Sequence, residues 1–313
     1  MLLSVLGVVF GLLLLTYAAD QFVVGATRVA AALRLSTVVI GALVIGFGTS
    51  APEAVVSGLA AGRGQMDLAA GNVIGSNVAN LTLVLGAAAL IAPIAVRSRI
   101  LKREAPLSLA AVALFALLLQ GGLSLLDGAI LGVALLTALA LVLRSSRDGD
   151  PDLAAEVDSF LTEARPSLRV EWPRTIGGLI GVVVAAQILV VSATDIAGRF
   201  GIDEGFVGFT IVAIGTSLPE LATALQSARR KETDLIVGNL LGSNLFNATG
   251  VGTIIALAGP SGAVGRTLAV HATLVMVAVA VIATIFMVTG RRVARSEGAL
   301  LLVGYLVILP FLA

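Results

Sequence analysis

The chain has no cysteine and a single histidine among its 313 residues. That excludes disulfides, thiolate nucleophiles and thiolate metal ligands. Charge is also scarce: 12% of residues are Asp, Glu, Lys or Arg, against roughly 25% in an ordinary soluble domain. The net charge of +1 gives no sign of a nucleic-acid or strongly acidic partner. What fills the chain instead is apolar, with 58% hydrophobic residues and a mean hydropathy of +1.05. The apolar residues come in blocks of about 17 to 25, enough for helices to cross the hydrocarbon core and too unbroken for an outer-membrane barrel. The expected fold is an all-α integral membrane bundle.

Breaks between apolar blocks give about ten spans, starting near Leu2, Thr37, Asp67, Ala105, Leu126, Thr175, Gly205, Asp234, Thr267 and Glu297. The first, lacking a basic leader and a cleavage site, reads as a retained helix. With both termini outside, all of the 20 basic residues except Arg63, Arg199 and Arg266 fall on the cytoplasmic side, as the positive-inside rule favours. This divides the chain into a first five-helix half (1–144), a cytoplasmic linker (145–174) and a second five-helix half (175–313). The linker's "DGDPD" lacks the full ligand spacing of a calcium loop and reads as solvated chain.

The chain repeats itself. Residues 48–80, "GTSAPEAVVSGLAAGRGQMDLAAGNVIGSNVAN", align without a gap on residues 215–247, "GTSLPELATALQSARRKETDLIVGNLLGSNLFN". Five spans separate matching points, so the repeats run in opposite directions through the membrane. Inverted repeats with interrupted helices are a common construction of secondary transporters, whose binding sites form where the breaks meet near the midplane.

Proline lacks a backbone donor and clashes with the preceding turn, so Pro52 and Pro219 are expected to kink their helices and free carbonyls over Gly46 to Thr49 and Ala213 to Thr216. In the next helix of each repeat Asn72, Ser76 and Asn80 share one face, as do Asn239, Ser243 and Asn247. Gly71 and Gly75, like Gly238 and Gly242, allow close helix approach. Asp67 and Asp234 read as N-caps. The resulting inventory of two carboxylates (Glu53, Glu220), hydroxyls, amide oxygens and carbonyls is all oxygen, which suits hard cations such as calcium. The two buried carboxylates need a counter-charge, and a transported cation supplies it. The lone His271 lies outside both repeats.

At these motifs the chain resembles the cation/calcium exchanger superfamily, and within it the prokaryotic sodium/calcium exchangers. The resemblance implies two long tilted helices, the first and sixth spans, sliding across a core of eight. It also implies that Glu53 and Glu220 are central calcium ligands, assisted by the carbonyls of Thr49 and Thr216. Ser50, Ser76, Ser217 and Ser243, with the carbonyls of Gly46 and Ala213, would complete flanking sodium positions, and Asn80 and Asn247 would lie at the centre. Asparagine rather than an acid at 247 argues against potassium coupling. Two carboxylates balance one calcium but not three sodium ions, so the family stoichiometry would make exchange electrogenic. Calcium and sodium are the implied cargo, with no cofactor and no obligate protein partner. Proton/calcium exchange is the alternative. A channel would want a ring of identical groups, and an intramembrane enzyme would want a nucleophile or metal motif.

Overall fold

The computed structural model describes residues 1–33, 46–96, 98–145, 167–230, 233–261 and 264–312. The start of the second span near Thr37, most of the linker with its "DGDPD", and several of the basic loop residues lie outside these.

The fold is an all-α membrane bundle of two inverted repeats. Helix α1 (Leu2–Ala32) is followed by α2 (Gly46–Thr49) and α3 (Ala51–Gly62), which together form the described part of the second span. Next come α4 (Met66–Ala79) and α5 (Leu85–Ile91), joined through a π turn at Asn80–Val84, then α6 (Ser98–Leu119) and α7 (Leu125–Ser145). The second half opens with α8 (Leu168–Phe200), so the polar stretch just before Thr175 already supplies the first turns of this helix. It continues with α9 (Glu204–Val207), a π turn (Gly208–Val212), α10 (Ala213–Thr216), α11 (Leu218–Arg230), and α12 (Thr233–Phe246). A π turn at Asn247–Val251 leads into α13 (Gly252–Ala258), and α14 (Thr273–Val288) and α15 (Arg295–Leu312) close the chain. Among the described residues, six helices are long and apolar enough to cross a membrane unaided, or seven if the pair Glu204–Thr216 and Leu218–Arg229, bent by 45°, is one span. The remaining spans are the broken second one and those of α6 and α15, whose first turns carry charges.

Helices α1 and α8 have 31 and 33 residues, near 50 Å at 1.5 Å per residue, well beyond a hydrocarbon core of about 30 Å. They lie antiparallel against each other, and small residues let them. A side chain at Gly178 would meet the backbone of Phe22, with its Cβ 2.5 Å from the Phe22 nitrogen, and one at Gly25 would meet Thr175. Both ends are tied. At one, Arg28 Nη1 lies 3.4 Å from Glu171 Oε1, whose other oxygen is 3.2 Å from Arg174. At the other, the Ser4 hydroxyl donates to Asp195, which also pairs with Arg199.

The remaining helices pack as a core around α4. Gly71 and Gly75 meet the backbone of Gly205 to Phe209 so closely that any side chain would collide with it, and Gly208 meets Leu68 in the same way. Among the described residues, a Cβ at Gly238 would meet only Glu104 Oε2, at 3.6 Å, and one at Gly242 nothing within 4 Å. A two-residue antiparallel ribbon, β1 (Ile94–Ala95) with β2 (Arg292–Val293), links the loops that precede α6 and α15.

The Asp67 N-cap expectation is corrected here. Gln65 holds the cap position, and Asp67, inside the first turn, accepts instead from the backbone N–H of Gly265 at 2.7 Å. The ordering of the 265 loop against α4 therefore captures the carboxylate. The side chain of Asp234 lies outside the described residues.

Candidate cation site

Each G-T-S-x-P-E motif breaks its span at the serine. Ser50, with φ −91° and ψ 10°, separates α2 from α3. Ser217, with φ −86° and ψ 6°, separates α10 from α11. Proline follows two residues later in both, and the donors it lacks are those that would have bonded Gly48 and Gly215. Ala213 departs from the expected pattern: its carbonyl accepts from Ser217 N–H at 3.0 Å, with Thr216 Oγ1 3.2 Å away, so it is bonded rather than freed. Gly46 opens α2 at the edge of the described residues.

The breaks meet the asparagine-rich helices of the opposite repeat. Thr49 Oγ1 stands 3.5 Å from Ser243 Oγ, and its mirror pair, Thr216 Oγ1 and Ser76 Oγ, is 3.3 Å apart. Thr216 also donates to Asn72 Oδ1 at 3.2 Å. Ser217 Oγ donates to Glu53 Oε1 at 3.3 Å, so the second motif's serine touches the first motif's carboxylate. Glu53, Glu220, Ser50, Ser76, Ser243, Asn80, Asn247 and Thr216 are fully buried, and Thr49 and Ser217 nearly so. All ten expected side chains are thus buried, and the contacts above join Thr49, Ser76, Thr216, Ser217, Ser243 and Glu53 across the two repeats in one layer.

The unsatisfied atoms in this layer are informative. Among the described residues, Ser50 Oγ, Glu53 Oε2, both carboxylate oxygens of Glu220, Asn80 Oδ1 and both amide atoms of Asn247 have no hydrogen-bond partner. Buried polar atoms are ordinarily paired, and a carboxylate buried without a partner is costly. Every orphan except the Asn247 nitrogen is an oxygen, the donor set of a hard cation. No third acidic, histidine or cysteine side chain joins the two glutamates among the described residues.

Three features of this layer were missed in the sequence. Ser57, one turn beyond Glu53, is buried and accepts from Asn72 Nδ2 at 2.8 Å; its i,i+4 spacing from Glu53 was the available signal. Asn77 and Asn244, the asparagines of each G-S-N, are also buried here. Finally, Asn80 and Asn247 each open a π turn, a backbone widening that often marks functional sites. His271 is exposed on the π turn Thr267–Ala272, away from this layer.

Comparison with known proteins agrees with this architecture. The profile of the family "Sodium/calcium exchanger protein" matches residues 3–144 and 172–313. The chain is 38% identical to CaxA of Alkalimonas amylolytica over 98% of its own length and 97% of the relative's. It is 38% identical to the inner membrane protein YrbG of Escherichia coli (strain K12), over 79% of this chain and 77% of that protein. Among solved structures, the sodium-calcium exchanger NCX_Mj without Na+ and Ca2+ superposes with a TM-score of 0.68 at 31% identity, covering 100% of this chain and 99% of the other. With the motifs, the inverted repeats and this family match over both halves, the chain belongs to the sodium/calcium exchanger family of membrane cation antiporters.

Proposed function

We propose that this protein is an alternating-access antiporter that moves calcium in exchange for sodium, electrogenically and without potassium. In this reading it is a multi-pass protein of the cell membrane with both termini outside, built of halves 1–144 and 175–313 joined by the linker 145–174. The observation that carries the proposal is the set of partnerless oxygens on Glu53, Glu220, Ser50, Asn80 and Asn247 in one buried layer. Calcium, which takes six to eight oxygens, would lie between the two glutamates with help from the Thr49 and Thr216 carbonyls. Sodium would use the flanking serines Ser50, Ser76, Ser217 and Ser243 and the carbonyl of Gly46. The carbonyl of Ala213, already accepting from Ser217 N–H, contributes less in this scheme.

The geometry supplies a rule for coupling. Two uncompensated carboxylates in a low-dielectric layer oppose any movement that seals them away from water. An occupied site removes that opposition, so only ion-loaded forms cross between states. The unit that moves is α1 with α8, which are tied to each other at both ends and meet the core at Val23 against Gly48, at Leu12 against Gly215, and where Gln65 Nε2 donates to Thr194 of α8 at 2.8 Å. Potassium independence rests on Asn247, which adds no third charge to the site. Acidification slows exchange in this scheme, because a protonated glutamate loses the charge that holds calcium.

The test is uptake of radioactive calcium into proteoliposomes loaded with sodium and diluted into sodium-free buffer, beside a proton-gradient arm at matched voltage. Uptake in the sodium arm, accelerated by an inside-positive potential as net charge leaves with the sodium, is the expected result. Uptake confined to the proton arm would reassign the coupling ion and make the four serines structural.

A further inference from the structure

The G-S-N asparagines Asn77 and Asn244 have no part in the exchange scheme above, although both are buried beside the site. Their hydrogen bonds form a directed chain. The backbone carbonyl of Asn77 accepts from Asn244 Nδ2 at 3.0 Å. A carbonyl can only accept, so this bond fixes which end of the Asn244 amide is nitrogen. Asn244 Oδ1 then faces Asn80 and accepts from Asn80 Nδ2, also at 3.0 Å. With its nitrogen so engaged, Asn80 has only its oxygen left to offer, and Asn80 Oδ1 is one of the buried atoms without a protein partner.

The mirror-related chain is not formed. Asn77 turns its own amide nitrogen back to the Val73 carbonyl at 2.7 Å, leaving Asn77 Oδ1 unpaired. Asn247, which corresponds to Asn80, has no partner at either amide atom among the described residues. The two central asparagines therefore differ: one is oriented by a relay across the repeat interface, and the other is free to turn either end inward.

We propose that Asn244 is a positioning residue, which acts through Asn80 by holding its carboxamide oxygen toward the cation. The inference rests on the proposed cation site and deepens it. The relay needs the side chain of Asn244 but only the backbone of Asn77, so side-chain truncation at these two matched positions should have unequal effects.

The experiment is equilibrium binding of radioactive calcium to the purified full-length protein, with thermal unfolding recorded in parallel. The proteins compared are wild type, Asn80→Ala, Asn244→Ala, the double variant and Asn77→Ala. Asn80→Ala and Asn244→Ala are each expected to weaken calcium binding about tenfold, the scale of one buried hydrogen-bonding group. The double variant should bind no more weakly than Asn80→Ala alone, since Asn244 has nothing to orient once Asn80 is gone. Asn77→Ala should weaken binding less than Asn244→Ala does. Multiplying effects in the double variant, or an Asn244→Ala protein that binds like wild type, would overturn the positioning role while leaving the cation site standing. If Asn80→Ala itself binds like wild type, both fall. Should Asn244→Ala not fold, Asn244→Asp, which keeps an acceptor for Asn80, serves in its place. It is expected to retain the coupling to Asn80, and independence from Asn80 would count against the proposal.

Discussion

The two repeats carry nearly the same motif, yet they are not bonded alike. Ser217 donates to Glu53, whereas the hydroxyl of its counterpart Ser50 has no partner and leaves both oxygens of Glu220 unpaired. Thr216 reaches Asn72, but Asn239 Oδ1, the mirror acceptor, is unpartnered. Asn80 is tied across the interface and Asn247 is not. In each case the bond joins the second repeat's broken helix or G-S-N helix to the first repeat's elements, and the reciprocal bond is missing. Sequence symmetry thus coexists with an asymmetric conformer. That is the relation expected if alternating access exchanges the roles of two inverted halves, each adopting in turn the arrangement the other has now.

The largest effects should come where the halves are equivalent. Glu53→Gln and Glu220→Gln keep volume and remove charge, and each should cut sodium-driven calcium uptake about a hundredfold or more. Residual exchange in both would sever the motif from the cargo. Close helix packing comes next. Ala at Gly71 or Gly208 would press a methyl against backbone, costing about 1 to 3 kcal/mol, readable as a fall in unfolding temperature of detergent-solubilised protein. Unchanged unfolding would mean that α4 and the Gly208 turn do not meet as described.

The two ends of the α1–α8 pair offer a smaller contrast. Glu171 is 4% exposed, and Glu171→Ala should cost about 2 kcal/mol by removing the buried carboxylate that Arg28 and Arg174 share. The Asp195–Arg199 pair is largely solvated, and Arg199→Ala should shift the unfolding temperature far less. Thermal unfolding separates the two, and equal losses would contradict the distinction. A loss between these two is expected at Ser57, whose mirror position is Ala224. Ser57→Ala should cost about 1 kcal/mol through the Asn72 amide it leaves unpaired. An effect as large as that of a motif glutamate would make Ser57 part of the binding layer.

Much of this was legible in the sequence because it is written locally. Hydropathy marks the spans, proline marks the breaks, and spacing of four puts Asn72, Ser76 and Asn80 on one face. The hidden part depends on packing between distant segments. Asp67 looks like an N-cap until the Gly265 loop arrives to take its carboxylate. Ala213 looks like a freed carbonyl until Ser217 and Thr216 close on it. The π turns at Asn80 and Asn247 leave no mark in residue identity, and the orientation of the Asn80 amide is set by a carbonyl of its own helix through a side chain of the other repeat. A repeat aligned on itself reveals equivalence, but the departures from equivalence appear only in three dimensions.

In the proposed function, two inverted motifs build one cation site between Glu53 and Glu220. Its most direct test is an experimental structure of the protein equilibrated with strontium as an anomalous-scattering stand-in for calcium. One strong peak is expected, bridged by the carboxylates of Glu53 and Glu220, with the Asn80 amide oxygen turned toward it. A peak outside this layer, or none while the same preparation still exchanges calcium in liposomes, would contradict it.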